Sequence, residues 1–91
     1  MEVNEEKEEM MLGRNIKEKI PLEIQVLNRR AIEMSSRGNY PEALKIFSSV
    51  VVIAPCFARA QYEMGRCLEN IGRHSEAVER FDKAKRMDQY S

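Results

Sequence analysis

The sequence predicts an all-α fold built from antiparallel helix-turn-helix repeats, because one stretch of the chain occurs twice in register. Residues 38–47 return in part as residues 72–81, and every matched position is 34 residues apart. The two copies share a glycine (Gly38 and Gly72), an alanine (Ala43 and Ala77) and a phenylalanine (Phe47 and Phe81). A fixed period of this length is typical of arrays in which each unit buries its apolar face against its neighbours.

The match extends upstream to a pair of small residues, Ala31 and Gly65, and Pro55 follows the first copy. This order of residues resembles the tetratricopeptide repeat, a helix-turn-helix unit of the same period. The resemblance covers residues 24–57 and 58–91. The chain departs from the repeat pattern at three positions: Gln61 replaces a large apolar residue, Arg30 a leucine-like residue, and Gln89 the terminal proline.

Residues 1–21 are predicted to form an acidic amphipathic helix that is partly disordered, and residues 22–91 the two repeats. Within residues 1–12 there are five glutamates and one lysine. Leu12, Ile16 and Ile20 recur every four residues, which places them on one face of a helix. Residues 1–9 are equally well interpreted as a frayed tail.

The repeat region is expected to contain helices over residues 21–37, 41–54, 56–71 and 75–88, with Ser75 as a candidate cap for the last. The run from Val50 to Ile53 is β-branched and would, in isolation, indicate a buried strand. The 34-residue register and the helical spacing of Phe47 and Val51 favour a helix there.

Composition excludes several classes of function. The 15 basic and 15 acidic residues balance, so no global field attracts nucleic acid or an anionic membrane. No apolar run approaches the roughly 20 residues of a membrane span, and the acidic N-terminus does not resemble a signal peptide, so we expect a cytoplasmic protein.

The sequence lacks the residues that catalysis and metal binding usually require. His74 is the single histidine, and no serine has a nucleophile motif around it, so we expect no enzyme. Cys56 and Cys67 are separated by about 16 Å if they lie along one helix, which is too far for a disulfide. Because the chain has one histidine and no Cys-x-x-Cys pair, we expect no metal site and no cofactor.

The resemblance implies a partner-binding groove lined by the first helix of each repeat, which holds an extended peptide or a helix of another protein. Carried over by position, the groove residues are Gln25, Asn28, Arg29, Ile32 and Ser36 from the first repeat and Arg59, Tyr62, Glu63, Arg66 and Asn70 from the second. One subfamily clamps C-terminal carboxylates with Lys and Asn one turn apart. Here Asn28 and Ile32 occupy those positions, so that clamp is not expected.

The predicted function is therefore a protein–protein interaction module whose partner is a protein or a peptide. The alternative is a structural self-association unit whose groove holds no ligand. Two repeats fall below the roughly three that an independent array needs, so a homodimer is expected. The competing expectation is a monomer in which the N-terminal helix packs on its own first repeat.

Overall fold

A computed structural model describes residues 20–89, and this part of the chain is entirely helical. Its four helices are α1 (Leu22–Ser36), α2 (Tyr40–Ile53), α3 (Ala58–Asn70) and α4 (His74–Gln89). No strand occurs among the described residues, which confirms the predicted all-α class. The helix predicted over residues 1–21 lies outside the described residues, except for its last two positions.

The four helices pack in chain order. α1 contacts α2, α2 contacts α3 and α3 contacts α4, with a smaller contact between α1 and α3. The connections cover only residues 37–39, 54–57 and 71–73. Connections this short make consecutive helices antiparallel neighbours, so α1 and α3 lie side by side in the same direction.

The repeated glycines end the first helix of each repeat. Gly38 and Gly72 have φ angles of 84° and 86°, the left-handed region that glycine enters without steric cost. At the first turn the amide of Asn39 donates to the carbonyl of Met34 at 2.9 Å, and at the second turn Arg73 donates to Leu68 at 2.9 Å. This is the same helix-ending motif, repeated 34 residues later.

The helix starts differ from the predictions. α4 begins at His74, so the prediction that Ser75 caps it is wrong: Ser75 already lies in the first turn. Asn39 occupies the cap position of α2, but its side chain makes no capping hydrogen bond. Pro41, which has no N–H to satisfy, and Glu42, which favours the positive helix end, support this start instead.

The core lies between the helices and is filled by a few large side chains. Phe47, Val50, Cys67 and Leu68 are the largest fully buried ones. Because Phe81 is the counterpart of Phe47 in the repeat, the register predicts that it is buried as well, but it is only partly buried. The reason is its position: α2 has α1 and α3 on its two sides, whereas α4 contacts only α3 among the described helices.

Two unusual residues of the second repeat are explained by close packing on α4. A Cβ atom at Gly65 would lie 2.7 Å from Cε1 of Phe81, so glycine allows that ring to approach the helix backbone. Gln61 is 2% exposed, and its Nε2 donates to the carbonyl of Pro55 at 3.1 Å. Its Oε1 accepts from Arg80 at 2.9 Å, so this buried amide joins α3 to α4 and to the connection between α2 and α3.

In α1 the side chains that contact the core include the ones that helical spacing predicts. That spacing predicts a packing stripe of Leu27, Ala31 and Met34. Ala31 is buried and Leu27 and Met34 pack against the core partly buried, but the most buried positions beside Ala31 are Ile24 and Asn28. These three buried positions follow helical spacing as well as the predicted set does, so packing decides between them.

Candidate partner-binding groove

A continuous groove runs between α1 and α3. Its first part has a volume of about 440 Å³ and is lined by Gln25, Asn28, Arg29, Ile32, Phe57 and Arg59. Its second part has a volume of about 390 Å³ and is lined by Ile32, Ser35, Ser36, Tyr40, Arg59, Glu63, Arg66 and Asn70. The two parts share Ile32 and Arg59 and therefore form one surface, which we call the α1–α3 groove.

Nine of the ten residues predicted for this groove line it. The exception is Tyr62, which lies on the other side of α3, next to Phe81, with the two ring centroids 5.6 Å apart. Phe57 and Tyr40 line the groove but were not among the predicted groove residues. Phe57 carried a signal in the sequence, because it is apolar where the repeat usually has a polar residue.

The groove is positively charged. Three arginines and one glutamate line it, which gives a net charge of +2. Arg59 donates from Nε to Oε2 of Glu63 at 3.0 Å, so this pair is neutral as a unit. Arg29 and Arg66 are exposed and make no ion pair within residues 20–89. The uncompensated charge therefore comes from one arginine on each helix.

Asn28 is a polar residue in an apolar setting. Its side chain is 5% exposed, and its Oδ1 is buried without a hydrogen-bond partner. A buried acceptor that loses its hydrogen bonds to water typically costs about 1–3 kcal/mol. The wall of the groove thus contains a destabilising group at the position where the second repeat has Tyr62.

Replacing Asn28 with Leu is expected to stabilise the fold by about 1 kcal/mol, because a side chain of similar shape removes the unpaired acceptor. Urea denaturation followed by circular dichroism measures the change. The matched control is Asn70→Leu, the same substitution at an exposed groove position, which we expect to change stability by less than about 0.5 kcal/mol. A loss of stability in Asn28→Leu would contradict the assignment of Asn28 as a strained polar group.

Cys67 is a buried thiol, and metal-ligating side chains do not cluster among residues 20–89. Cys67 is fully buried and its thiol donates to the carbonyl of Tyr40 at 3.4 Å. Burial raises the pKa of the Cys67 thiol, an effect that a hydrogen bond with Ser35 opposes, so the thiol stays protonated at neutral pH. Among residues 20–89 there is no group of three metal-ligating side chains.

None of the four described helices has both the length and the apolar character that crossing a membrane requires.

Comparison of the chain with protein-family models, with curated proteins and with solved structures gave no match. The resemblance to the tetratricopeptide repeat therefore stays a prediction from the residues and their period.

Proposed function

We propose that this chain is a non-enzymatic protein-interaction module of the tetratricopeptide-repeat kind, which binds an acidic segment of a partner protein in the α1–α3 groove. The observation that carries the proposal is the uncompensated charge of the groove, with Arg29 on one wall and Arg66 on the other. A guanidinium group binds a carboxylate through two parallel hydrogen bonds, so arginines on facing helices favour acidic side chains or a C-terminal carboxylate.

Apolar contacts add to this charge. Ile32 lies where the two parts of the groove meet, and Phe57 lines the first part. A ligand with an apolar side chain between acidic ones matches this pattern better than a uniformly acidic one. Because the groove is short and open, we expect modest affinity, in the micromolar range that corresponds to about −8 kcal/mol.

The test is peptide binding with a charge-reversed groove. Arg29→Glu combined with Arg66→Glu is expected to weaken binding of acidic peptides by about tenfold or more, because each reversal replaces an attraction by a repulsion. Fluorescence anisotropy against an array of acidic and basic peptides measures it, and circular dichroism checks that the variant is folded.

The matched control reverses two charges on α4, with Lys83→Glu and Arg86→Glu. Both side chains are exposed and neither lines the groove, so the change in net charge is the same. The control is expected to keep its affinity. Equal weakening in both variants would attribute binding to net charge and remove the groove from the proposal.

The second candidate function is self-association as a homodimer. It is favoured by an apolar opening on the far side of α3, where Tyr62 is 47% exposed beside Phe81. Light scattering over a range of concentrations distinguishes the two candidates, since only self-association makes the mass depend on concentration.

The cytoplasm is the proposed location. The buried thiol of Cys67 is not joined in a disulfide and serves as a hydrogen-bond donor. A reducing compartment keeps such thiols intact.

A further inference from the structure

A second opening lies between α3 and α4 and shares only Arg59 with the α1–α3 groove. It has a volume of about 700 Å³ and is lined by Ala58, Arg59, Tyr62, Phe81, Ala84 and Lys85. We call it the α3–α4 cleft. Its interior is formed by two aromatic rings and two alanines, and its cations are Arg59 and Lys85. An apolar surface of this kind, bordered by charge, is typical of a contact site for another segment.

We propose that the α3–α4 cleft binds the acidic half of the chain's own N-terminal segment, with Met10, Met11 and Leu12 against the rings of Tyr62 and Phe81. This inference is independent of the proposed peptide groove, because it concerns the opposite side of α3.

Charge distinguishes the two halves of the segment. Residues 1–12 carry five glutamates and one lysine, whereas residues 14–19 carry three basic residues and one glutamate. Lys85 makes no ion pair within residues 20–89 and therefore attracts the acidic half. The open apolar surface of α1, where Leu22 is 67% exposed, is bordered by Glu23 instead and suits the basic half.

Polarity distinguishes the cleft from the groove. Three consecutive apolar residues, at positions 10–12, need an apolar surface to leave water. The cleft offers aromatic and alanine side chains, whereas most residues that line the groove are polar or charged. Burial of an apolar side chain is favourable in proportion to the apolar area that leaves water, so the cleft is the better site for this part of the segment.

The segment reaches the cleft from where it joins the folded region. Ile20 packs on the core, and its carbonyl accepts a hydrogen bond from Nε2 of Gln25 at 2.8 Å, beside the start of α1. Neighbouring helices are about 8–10 Å apart, so the far side of α3 lies within about 20 Å of this point. The eight residues from Leu12 to Ile20 span up to about 26 Å when extended.

Tethering favours the chain's own segment over that of a second copy. A short flexible linker gives an effective concentration on the order of 1 mM. At a protein concentration of about 10 µM, the own segment therefore has roughly a hundredfold advantage over a copy from another molecule.

Nuclear Overhauser contacts in the full chain test the proposal. In a uniformly ¹³C-labelled sample we expect contacts from the methyl groups of Met10, Met11 and Leu12 to the rings of Tyr62 and Phe81. In a mixed sample of labelled and unlabelled chains, filtered for contacts between molecules, these contacts should be absent. Contacts between molecules only, contacts to Leu22 or Ile32 instead, or no contacts at all would each overturn the proposal.

Variants of the full chain test the role of charge. Lys85→Glu is expected to lower the docking equilibrium constant about two- to tenfold, measured as hydrogen-exchange protection of amides 8–14. The matched control is Lys83→Glu, the same reversal on the same helix at an exposed position that does not line the cleft. Leu12→Asp should abolish the ring contacts and leave the folded region unchanged. Equal protection in the two lysine variants would contradict the proposal.

Discussion

Phe47→Ala is expected to destabilise the protein by about 3–5 kcal/mol, which is the usual cost of deleting a buried phenylalanine side chain. Phe47 is fully buried in α2, between α1 and α3. Neighbours on both sides prevent the site from collapsing around the cavity. A domain of this size has a total stability of only about 5–10 kcal/mol, so much of it would be lost. Thermal and urea denaturation followed by circular dichroism measure the change.

The repeat supplies its own control, because Phe81 stands at the equivalent position in α4. Phe81 is only partly buried and has a helix on one side among the described residues. The same substitution there removes less buried surface, and we expect about half the loss, roughly 2 kcal/mol. If the two variants lose equal stability, or Phe47→Ala melts at the temperature of the unchanged protein, then Phe47 does not hold the core as described.

The features that sequence analysis predicted correctly are those that depend on local backbone chemistry. Gly38 and Gly72 end helices because both take positive φ angles, which other residues avoid. Their fixed spacing, repeated in the alanines and phenylalanines, gave the helix order and most helix bounds within about two residues. The backbone requirements that end a helix involve residues within one turn, so they can be recognised in the local sequence.

The errors concern how each helix is rotated about its axis. In α1, residues 24, 28 and 31 are buried, whereas residues 27 and 34 of the predicted set 27, 31 and 34 are only partly buried against the core. Both sets have helical spacing, so periodicity alone does not choose between them. The choice depends on the neighbours: Ala31, fully buried, allows close contact, and Asn28 is carried inward with it despite its polarity. The rotation of a helix about its axis depends on how it packs against its neighbours, so it cannot be predicted from the sequence of that helix alone.

The candidate groove likewise combines residues that the sequence predicts with one residue whose place is set by packing. Nine of its ten predicted residues lie together because the repeat period places Arg29 and Arg66 on facing helices, one in each unit. Tyr62 departs because it faces α4, where Phe81 offers it an aromatic contact. The tilt of a ring towards a neighbour 19 residues away has no signature in the local sequence.

The β-branched run in α2 allows a decisive test of the fold. In a strand, Val50 and Val52 would point to the same face, because side chains alternate with a period of two. In a helix they lie about 200° apart, at 3.6 residues per turn. The structure makes Val50 fully buried and leaves Val52 78% exposed, so equal substitutions should have unequal effects.

Val50→Asp is expected to cost about 4 kcal/mol or more and to leave the protein largely unfolded, because it places a carboxylate without a partner in the core. Val52→Asp introduces the same group two residues away, on the solvent side, and should change stability by less than about 0.5 kcal/mol. Urea denaturation of the two variants, in parallel with the unchanged protein, gives the difference. Similar losses from both substitutions would mean that positions 50 and 52 share one environment, which is the pattern of a strand and is incompatible with a helix over Tyr40–Ile53.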